Sequence, residues 1–206
     1  KNALGFAEGK GDNFGKNQNE IVKKGGTTML HMTRAGIDNS DMVLMTQAEG
    51  ASGSAEWDSA KSLHVAISNR GALDGPAKSK VSAARQTVNG ALSAPLELAP
   101  GETKSVTFVL TWYFKAGKHG SGGKRIALEG EGKAKGPAWS SSGQQYTNWW
   151  PSALGVADYL QQNLENLTAR THLFRDTLYA STLPVWLLDR MSSQLAVLRS
   201  QTCWWS

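Results

Sequence analysis

The sequence predicts an antiparallel β-sandwich followed by an α-helical hairpin, and two observations carry this prediction. Short runs with apolar alternation or β-rich composition, separated by Gly, Asn, Asp and Pro, fill the chain from Thr28 to Phe114. From Ala153 onward, apolar residues instead recur every three or four positions, which is the period of an amphipathic helix. The change of period near Trp149 marks the junction between the two regions.

Regularly spaced short strands in the β region are typical of a sandwich. The run Val106–Phe114 alternates most clearly and has apolar residues on both faces, so it is predicted to lie centrally in a sheet. Leu96–Leu98 is predicted as a strand that runs into a type II turn at Pro100 and Gly101. Residues 1–26 and 115–146 lack periodicity and are predicted as loops. The strand-like runs are TTMLHMTR, DMVLMTQ, SLHVAISN, KVSAARQTV and KSVTFVLTWYF.

The helical region predicts two helices. The first is expected to begin near Trp150, with Asn148 as its cap and Pro151 in its first turn, and Ser181–Pro184 ends it. A second helix follows directly. The apolar stripe of the first helix is predicted to face a core and consists of Ala153, Ala157, Leu160, Leu164, Leu167, Thr171, Phe174 and Leu178, and that of the second consists of Leu187, Met191, Leu195 and Leu198.

Length and composition favour one domain and part of another, since 206 residues with 40% hydrophobic content can hold a packed core. The start without Met and the end directly after a Trp-Trp pair predict that the chain is a piece of a longer protein. No apolar run approaches the roughly 20 residues of a membrane-spanning helix. The single cysteine, Cys203, excludes an internal disulfide and a cysteine-based zinc cluster and is predicted to be a buried thiol.

The charge of the chain does not predict nucleic-acid binding. The formal net charge is +5, which would indicate such binding if the basic residues were clustered on one element. Between Lys115 and Lys135 they are instead interleaved with glycines and with Glu129 and Glu131, which is typical of a solvated loop.

The titratable residues give no strong catalytic pattern. The four histidines lack metal-ligand spacing, so no metal or cofactor is predicted, and His31 and His64 are expected in strands. Paired carboxylates would indicate glycoside hydrolysis, yet Asp176 follows Arg175 and Asp189 precedes Arg190, so ion pairing or capping is favoured. The residues weighed are His31, His64, His119 and His172, and the helical carboxylates Asp158, Glu165, Asp176 and Asp189.

Aromatic residues are dense after Tyr146. Aromatic faces commonly bind sugar rings, and tryptophans also pack domain junctions, so both interpretations stay open for Trp149, Trp150 and Trp186.

Three motifs in the helical region carry a family resemblance. They are THLFRD at Thr171–Asp176, STLP at Ser181–Pro184 and LRSQTC at Leu198–Cys203. With them, the chain resembles the start of the catalytic domain of glycoside hydrolase family 116, the non-lysosomal glucosylceramidase type of β-glucosidase. Upstream, Phe108–Trp112 resembles the end of that family's N-terminal β-sandwich, and Tyr146–Trp149 resembles the beginning of its helical region.

The resemblance implies both an architecture and an activity. It implies a sandwich over residues 1–145 and the first helices of an (α/α)6 barrel over 146–206. In the family, a Glu nucleophile and an Asp acid/base hydrolyse a β-glucoside or glycolipid with retention, without a cofactor. The nucleophile is then expected just beyond Ser206, with Thr202, Trp204 and Trp205 as pocket candidates. No catalytic residue is expected within the chain itself.

A second hypothesis comes from a different class of protein. The chain could be a non-catalytic carbohydrate-binding sandwich with a helical tail, for which Trp57, Trp112 and Trp139 would form the platform. The apolar stripe of the helical pair argues against it, because a tail needs no buried stripe.

Overall fold

The computed structural model describes Asn2, Leu4, residues 15–35, residues 37–114, Tyr146 and residues 149–194. The antiparallel β region followed by two helices is confirmed in these residues. Their elements are, in chain order, β1 (Asn17–Lys24), β2 (Thr27–Arg34), β3 (Ile37–Thr46), β4 (Ser52–Ser54), α1 (Ala60–Arg70), β5 (Ala91–Ser93), β6 (Phe108–Phe114), α2 (Ala153–Tyr179) and α3 (Val185–Gln194).

A four-stranded antiparallel sheet, in the order β1-β2-β3-β6, organises the β region. Gly25 and Gly26 join β1 to β2, with φ of 55° and 76°. Two consecutive positive φ angles form the two-residue hairpin turn that matches strand twist, and glycine adopts them without strain. The prediction of a loop over residues 1–26 was therefore wrong for Asn17–Lys24.

The sheet is packed on both faces at its centre. β2 sends alternate side chains to the two sides, and both sets are largely buried. The core on one face contains Met29, Val43, Met45 and Tyr113 together with Ala153 and Ala157 of α2. The core on the other face contains Leu4, Leu30 and Met32 with the partly buried Ile21, Met42, Leu44 and Leu92.

The position predicted for β6 was wrong. Among the described strands β6 pairs with β3 alone, at the end of the sheet order. Thr111 and Tyr113 are buried because they face α2. The side chains on the other face of β6 are not covered by the second core, and 44–57% of their surface is exposed. They are Phe108, Leu110, Trp112 and Phe114.

A second, two-stranded sheet is formed by β4 and β5 and contacts β2. This layer fits the beginning of a β-sandwich. The strand predicted at Lys80–Val88 is not regular. Instead, the segment that contains Ser79 and Ser82 lies along the edge of β1 opposite β2. The amides of Ser79 and Ser82 donate to the carbonyls of Asn19 and Asn17, respectively, both at 2.9 Å. This pairing protects the edge of the sheet.

The predicted strand SLHVAISN is wrong, because these residues lie in α1. Ser59 and Ser62 form a reciprocal capping box at its start, and Gly71, with φ of 66°, ends it. Val65 and Ile67 remain more than 40% exposed. Their alternation resembled a strand, whereas the local capping contacts favour a helix.

The strand predicted at Leu96–Leu98 is also absent from the secondary structure. The turn that follows was predicted correctly, since the amide of Glu102 donates to the carbonyl of Ala99 at 2.9 Å and Gly101 has φ of 78°.

Both predicted helices are confirmed in the described residues, but the start of the first was placed too early. Ser152 is the N-cap of α2, and its Oγ accepts a hydrogen bond from the amide of Gly155 at 3.2 Å. Asn148 lies outside the described residues, as do Leu195 and Leu198 of the second stripe. After the break at Ser181–Pro184, α3 begins at Val185.

The apolar stripe of α2 changes environment along the helix. Ala153 and Ala157 are fully buried, Leu164 is half-buried, and Phe174 is 56% exposed. In α3 the buried residue is Leu188 rather than Leu187, and Met191 is 50% exposed. The prediction of a continuous core-facing stripe therefore fails for the second half of α2 in this chain, where the described residues place no strand against it.

Candidate functional site

The predicted pocket residues Thr202, Trp204 and Trp205 lie outside the described residues, as does Cys203. The structure describes the path toward them as far as Gln194, at the described end of α3. A polar site that joins the β region to the helical region lies elsewhere, at the junction where the N-terminus of α2 meets the four-stranded sheet.

The carboxylate of Asp41 is the centre of this junction. Its Oδ1 and Oδ2 accept the backbone N–H of Ala153, the first residue of α2, at 2.9 and 3.1 Å. His31 Nε2 lies 2.9 Å from Asp41 Oδ2. Because an ionised carboxylate can only accept, His31 carries the proton on Nε2 when Asp41 is ionised. Thus β3 supplies the acceptor for the first amide of the helix, and the neighbouring strand β2 supplies the side chain that bonds to this acceptor.

The electrostatics of the helix explain this contact. The free N–H groups of a helix N-terminus carry partial positive charge, and α2 has no acidic residue in its own first turn. The side chain of Asp41 is only 12% exposed, so water screens it weakly. A partly buried carboxylate in this position stabilises a helix by about 1–2 kcal/mol. Removing it would leave a buried amide without an acceptor.

Further bonds from β6 fix the same end of the helical region. Thr111 Oγ1 donates to the carbonyl of Ala153 at 3.1 Å. Tyr146 Oη accepts from the amide of Phe114 at 3.0 Å and donates to its carbonyl at 2.8 Å. The rings of Tyr146 and Tyr113 meet edge to face with centroids 5.6 Å apart. The chain before α2 and the first turn of α2 are therefore both bonded to the sheet.

The packing beneath the junction depends on two small residues. Ala153 and Ala157 are fully buried against Met29, Val43 and Met45. Alanine side chains allow the helix axis to approach the sheet closely. Because protein interiors are close-packed, little space remains for larger side chains at these positions. The contact is therefore specific to small side chains at these two positions.

Sequence patterns did not identify Asp41 as a site residue. Asp41 lies 112 positions before Ala153, and His31 was considered only as a metal ligand. No local signal points to Asp41, because the free N–H groups at the start of a helix can also be satisfied by an N-cap side chain such as that of Ser152 or by water.

The histidines are distributed differently from the prediction. His31 lies in β2 as expected, whereas His64 lies in α1, so its placement in a strand was wrong. His172 is exposed on α2, and His119 lies outside the described residues. The part of the chain that the structure describes contains no cluster of three or more His, Cys, Asp or Glu able to hold a metal ion.

Three of the four helical carboxylates considered above are bonded to a polar side chain of the protein. Asp158 pairs with Lys24 across to β1 at 2.7 Å, and Asp176 pairs with Arg175 at 2.7 Å. Asp189 accepts a hydrogen bond from Tyr179 at 2.5 Å, rather than pairing with Arg190. Glu165 is exposed on α2.

The tryptophans that the structure describes in the helical region lie just before α2 and in the first turn of α3. Trp150 is half-buried and contacts Tyr159, with ring centroids 5.3 Å apart, and Trp149 packs edge-on against Trp150. Trp149 and Trp186 are 64% and 67% exposed. The described ring contacts of Trp150 are with Trp149 and Tyr159, which both lie in the helical region. Both interpretations therefore stay open for Trp149, Trp150 and Trp186.

An apolar groove of about 500 Å³ separates the second half of α2 from α3. Arg170, Thr177 and Ser181 are its polar neighbours. Its apolar lining consists of Leu173, Phe174, Leu178, Leu183, Leu188 and Met191. The apolar stripe of α2, whose first residues pack on the sheet, therefore continues into this groove through Phe174 and Leu178.

The sequence that forms the sandwich-like sheet and the first part of α2 matches the N-terminal region of a glycoside hydrolase family. The family model described as "beta-glucosidase 2, glycosyl-hydrolase family 116 N-term" matches residues 1–167. The chain therefore belongs to glycosyl-hydrolase family 116, and the predicted resemblance is confirmed. The match includes the sheet and the part of α2 that packs on it.

No significant match is found among curated proteins or among solved structures. Within the described ranges, no helix is both long and apolar enough to cross a membrane.

Proposed function

We propose that this chain is the N-terminal part of a retaining β-glucosidase of the glucosylceramidase type. In this proposal, residues 1–145 form the sandwich domain, and residues 146–206 begin the catalytic (α/α)6 barrel. The substrate is a β-glucoside, which includes a glucosylated lipid. The single observation that supports the proposal most strongly is the family match over residues 1–167.

The exposed apolar surface of the helical pair supports the barrel assignment. Leu173 and Phe174 are 66% and 56% exposed, and they line the groove beside α3. Large apolar side chains that are exposed together usually pack against another element. Further barrel helices, contributed by chain outside residues 1–206, would cover them.

The catalytic carboxylates are proposed to lie outside this chain. A retaining glycosidase needs a nucleophile and an acid/base about 5–5.5 Å apart. The described helical carboxylates Asp158, Asp176 and Asp189 are each bonded to a structural partner. We place the nucleophile shortly after Ser206, with Thr202, Trp204 and Trp205 at the pocket, because each extended residue spans at most about 3.6 Å.

The test compares the full-length protein with residues 1–206 on a nitrophenyl β-glucoside. We expect turnover by the full-length protein alone, with the β-anomer of glucose as the first product. Turnover by residues 1–206 would contradict the placement of the carboxylates. Release of the α-anomer would contradict retention. A parallel assay with glucosylceramide and a nitrophenyl β-xyloside measures the aglycone and sugar preference.

The exposure of Trp112 favours the second candidate function, a carbohydrate-binding module. Trp112 is 57% exposed on β6, between Leu110 and Phe114. Trp57 supports the platform less well, because it is half-buried with its indole Nε1 enclosed, and Trp139 lies outside the described residues. Binding of residues 1–206 to an immobilised β-glucan, lost in Trp112→Ala, would support this function. Equal retention of both proteins would exclude Trp112 as a platform.

A further inference from the structure

The contacts between α2 and the sheet are concentrated at one end of the helix. Hydrogen bonds and apolar contacts run from Ala153, bonded to Asp41 and Thr111, to Leu160 and Gln161. Gln161 Nε2 donates to the carbonyl of Gly25 at 2.7 Å. The remaining turns, up to Tyr179, extend toward α3. The sheet therefore holds α2 by its first half.

A helix held in this way acts as a lever. The 27 residues of α2 span about 40 Å at 1.5 Å per residue. Because the sheet holds α2 as far as Gln161, the part beyond it spans about 27 Å, and a change of about 5° in the direction of the helix would displace its far end by about 2.4 Å. The α3 helix is bonded to that far end through Tyr179 and Asp189. Any change in the angle at which α2 leaves the sheet is thus passed to α3 and to the chain that follows it.

Asp41 is the group best placed to fix this angle. Its two oxygens hold the first amide of α2, and His31 orients the carboxylate from the neighbouring strand. The alternative ion pair between sheet and helix, Lys24 with Asp158, is much more exposed, at 63% and 34%. Exposed pairs are mobile and contribute little. The orientation of α2 therefore depends more on the buried contact of Asp41 than on this exposed ion pair, and Thr111 and Gln161 provide further bonds between α2 and the sheet.

We propose that Asp41, oriented by His31, is a positioning residue for the glycosidase reaction. It acts through α2 and α3 on the chain that follows α3, and not by contact with the substrate. This inference rests on the proposed function, in which residues 202–205 lie at the pocket. Displacement of reacting groups by about 1 Å can reduce the rate by about 100-fold. A carboxylate distant from the chemistry can therefore control kcat.

The test uses the full-length enzyme with Asp41→Ala, Asp41→Asn, His31→Gln and the matched control Asp158→Asn. Hydrogen exchange of the amides of Ala153–Ala157 measures the anchoring. Values of kcat and KM on a nitrophenyl β-glucoside measure the reaction, and thermal unfolding measures the folded fraction at the assay temperature.

Asp41→Ala should accelerate exchange at Ala153–Ala157 and lower kcat by about 10-fold or more, with KM within about twofold of wild type. Asp41→Asn keeps one acceptor oxygen, so its exchange rate at Ala153–Ala157 and its kcat should lie between those of Asp41→Ala and wild type. His31→Gln keeps a donor and should lie closer to wild type. Asp158→Asn should match wild type in exchange and in kcat.

Unchanged exchange at Ala153–Ala157 in Asp41→Ala would overturn the anchoring itself. Faster exchange with an unchanged kcat would overturn the positioning role, as would a loss of kcat equal to the unfolded fraction. If Asp158→Asn changed exchange and kcat as much as Asp41→Ala, the buried contact would have no greater role than the exposed ion pair. If the wild-type enzyme did not hydrolyse β-glucosides, the proposed function would fail, and exchange would still decide whether Asp41 anchors α2.

Discussion

Tyr179, in the last turn of α2, donates a hydrogen bond to the carboxylate of Asp189 in α3, with 2.5 Å between the two oxygens. The bond joins the two helices across the connection Ser181–Pro184. It holds the phenol in its neutral form, and this hydrogen bond to Asp189 raises the pKa of Tyr179 above its usual value of 10.0. The link between α2 and α3 is therefore sensitive to alkaline pH.

Tyr179→Phe should lower the thermal stability of the helical pair, and the difference from wild type should depend on pH. Because the folded-state pKa is raised, the contribution of Tyr179 is fully present below pH 10.0, the pKa of the unfolded state. It is lost as pH rises through the folded-state pKa. The unfolding temperatures of the two proteins should differ at pH 8 and converge above that folded-state pKa.

Tyr159→Phe, without a bond to Asp189, is the control. A difference that grows with pH would contradict the assignment.

Ala157→Leu should destabilise the protein by about 1–3 kcal/mol, because the residue is fully buried between α2 and the sheet and extra methylenes would overpack this contact. Ala169→Leu introduces the same group at an exposed position of the same helix and should change stability by less than about 0.5 kcal/mol. Urea unfolding measures both variants. Equal effects at the two positions would show that α2 is not packed on the sheet through Ala157.

Phe174→Ala distinguishes the isolated chain from a complete barrel. In residues 1–206 the side chain is 56% exposed, so the substitution should change the unfolding free energy by less than about 0.5 kcal/mol. In the full-length protein, packing against further barrel helices should raise the cost to about 2–5 kcal/mol. Leu164→Ala, at a half-buried position beside β6, should be destabilising in both proteins. A small cost of Phe174→Ala in both would contradict the barrel proposal.

Trp204→Ala and Trp205→Ala test the pocket assignment in the full-length enzyme. If either indole walls the glucose site, kcat/KM on a simple β-glucoside should fall by about 10-fold or more while the unfolding temperature stays close to wild type. Wild-type kinetics in both variants, or losses that only follow unfolding, would show that the pair is structural.

The sequence determined those elements whose signals are local and regular. The period-two runs around Leu30 and Val43 gave two strands correctly, and the three-to-four spacing from Ala153 gave α2. The motifs at Thr171–Asp176 and Ser181–Pro184 pointed to a family that the match over residues 1–167 confirms. In α1 the run SLHVAISN was predicted as a strand, whereas the capping box of Ser59 and Ser62, which that prediction did not consider, marks the start of a helix.

The tertiary structure alone decided which surfaces face each other. The alternation of β6 was correct, yet its place at the end of the described sheet follows from pairing with β3. Asp41 and Ala153 meet although 112 positions separate them, and no sequence period encodes that meeting. The physical reason is that periodicity reports the local backbone conformation, whereas burial and hydrogen bonding between distant segments are settled only when the elements pack together.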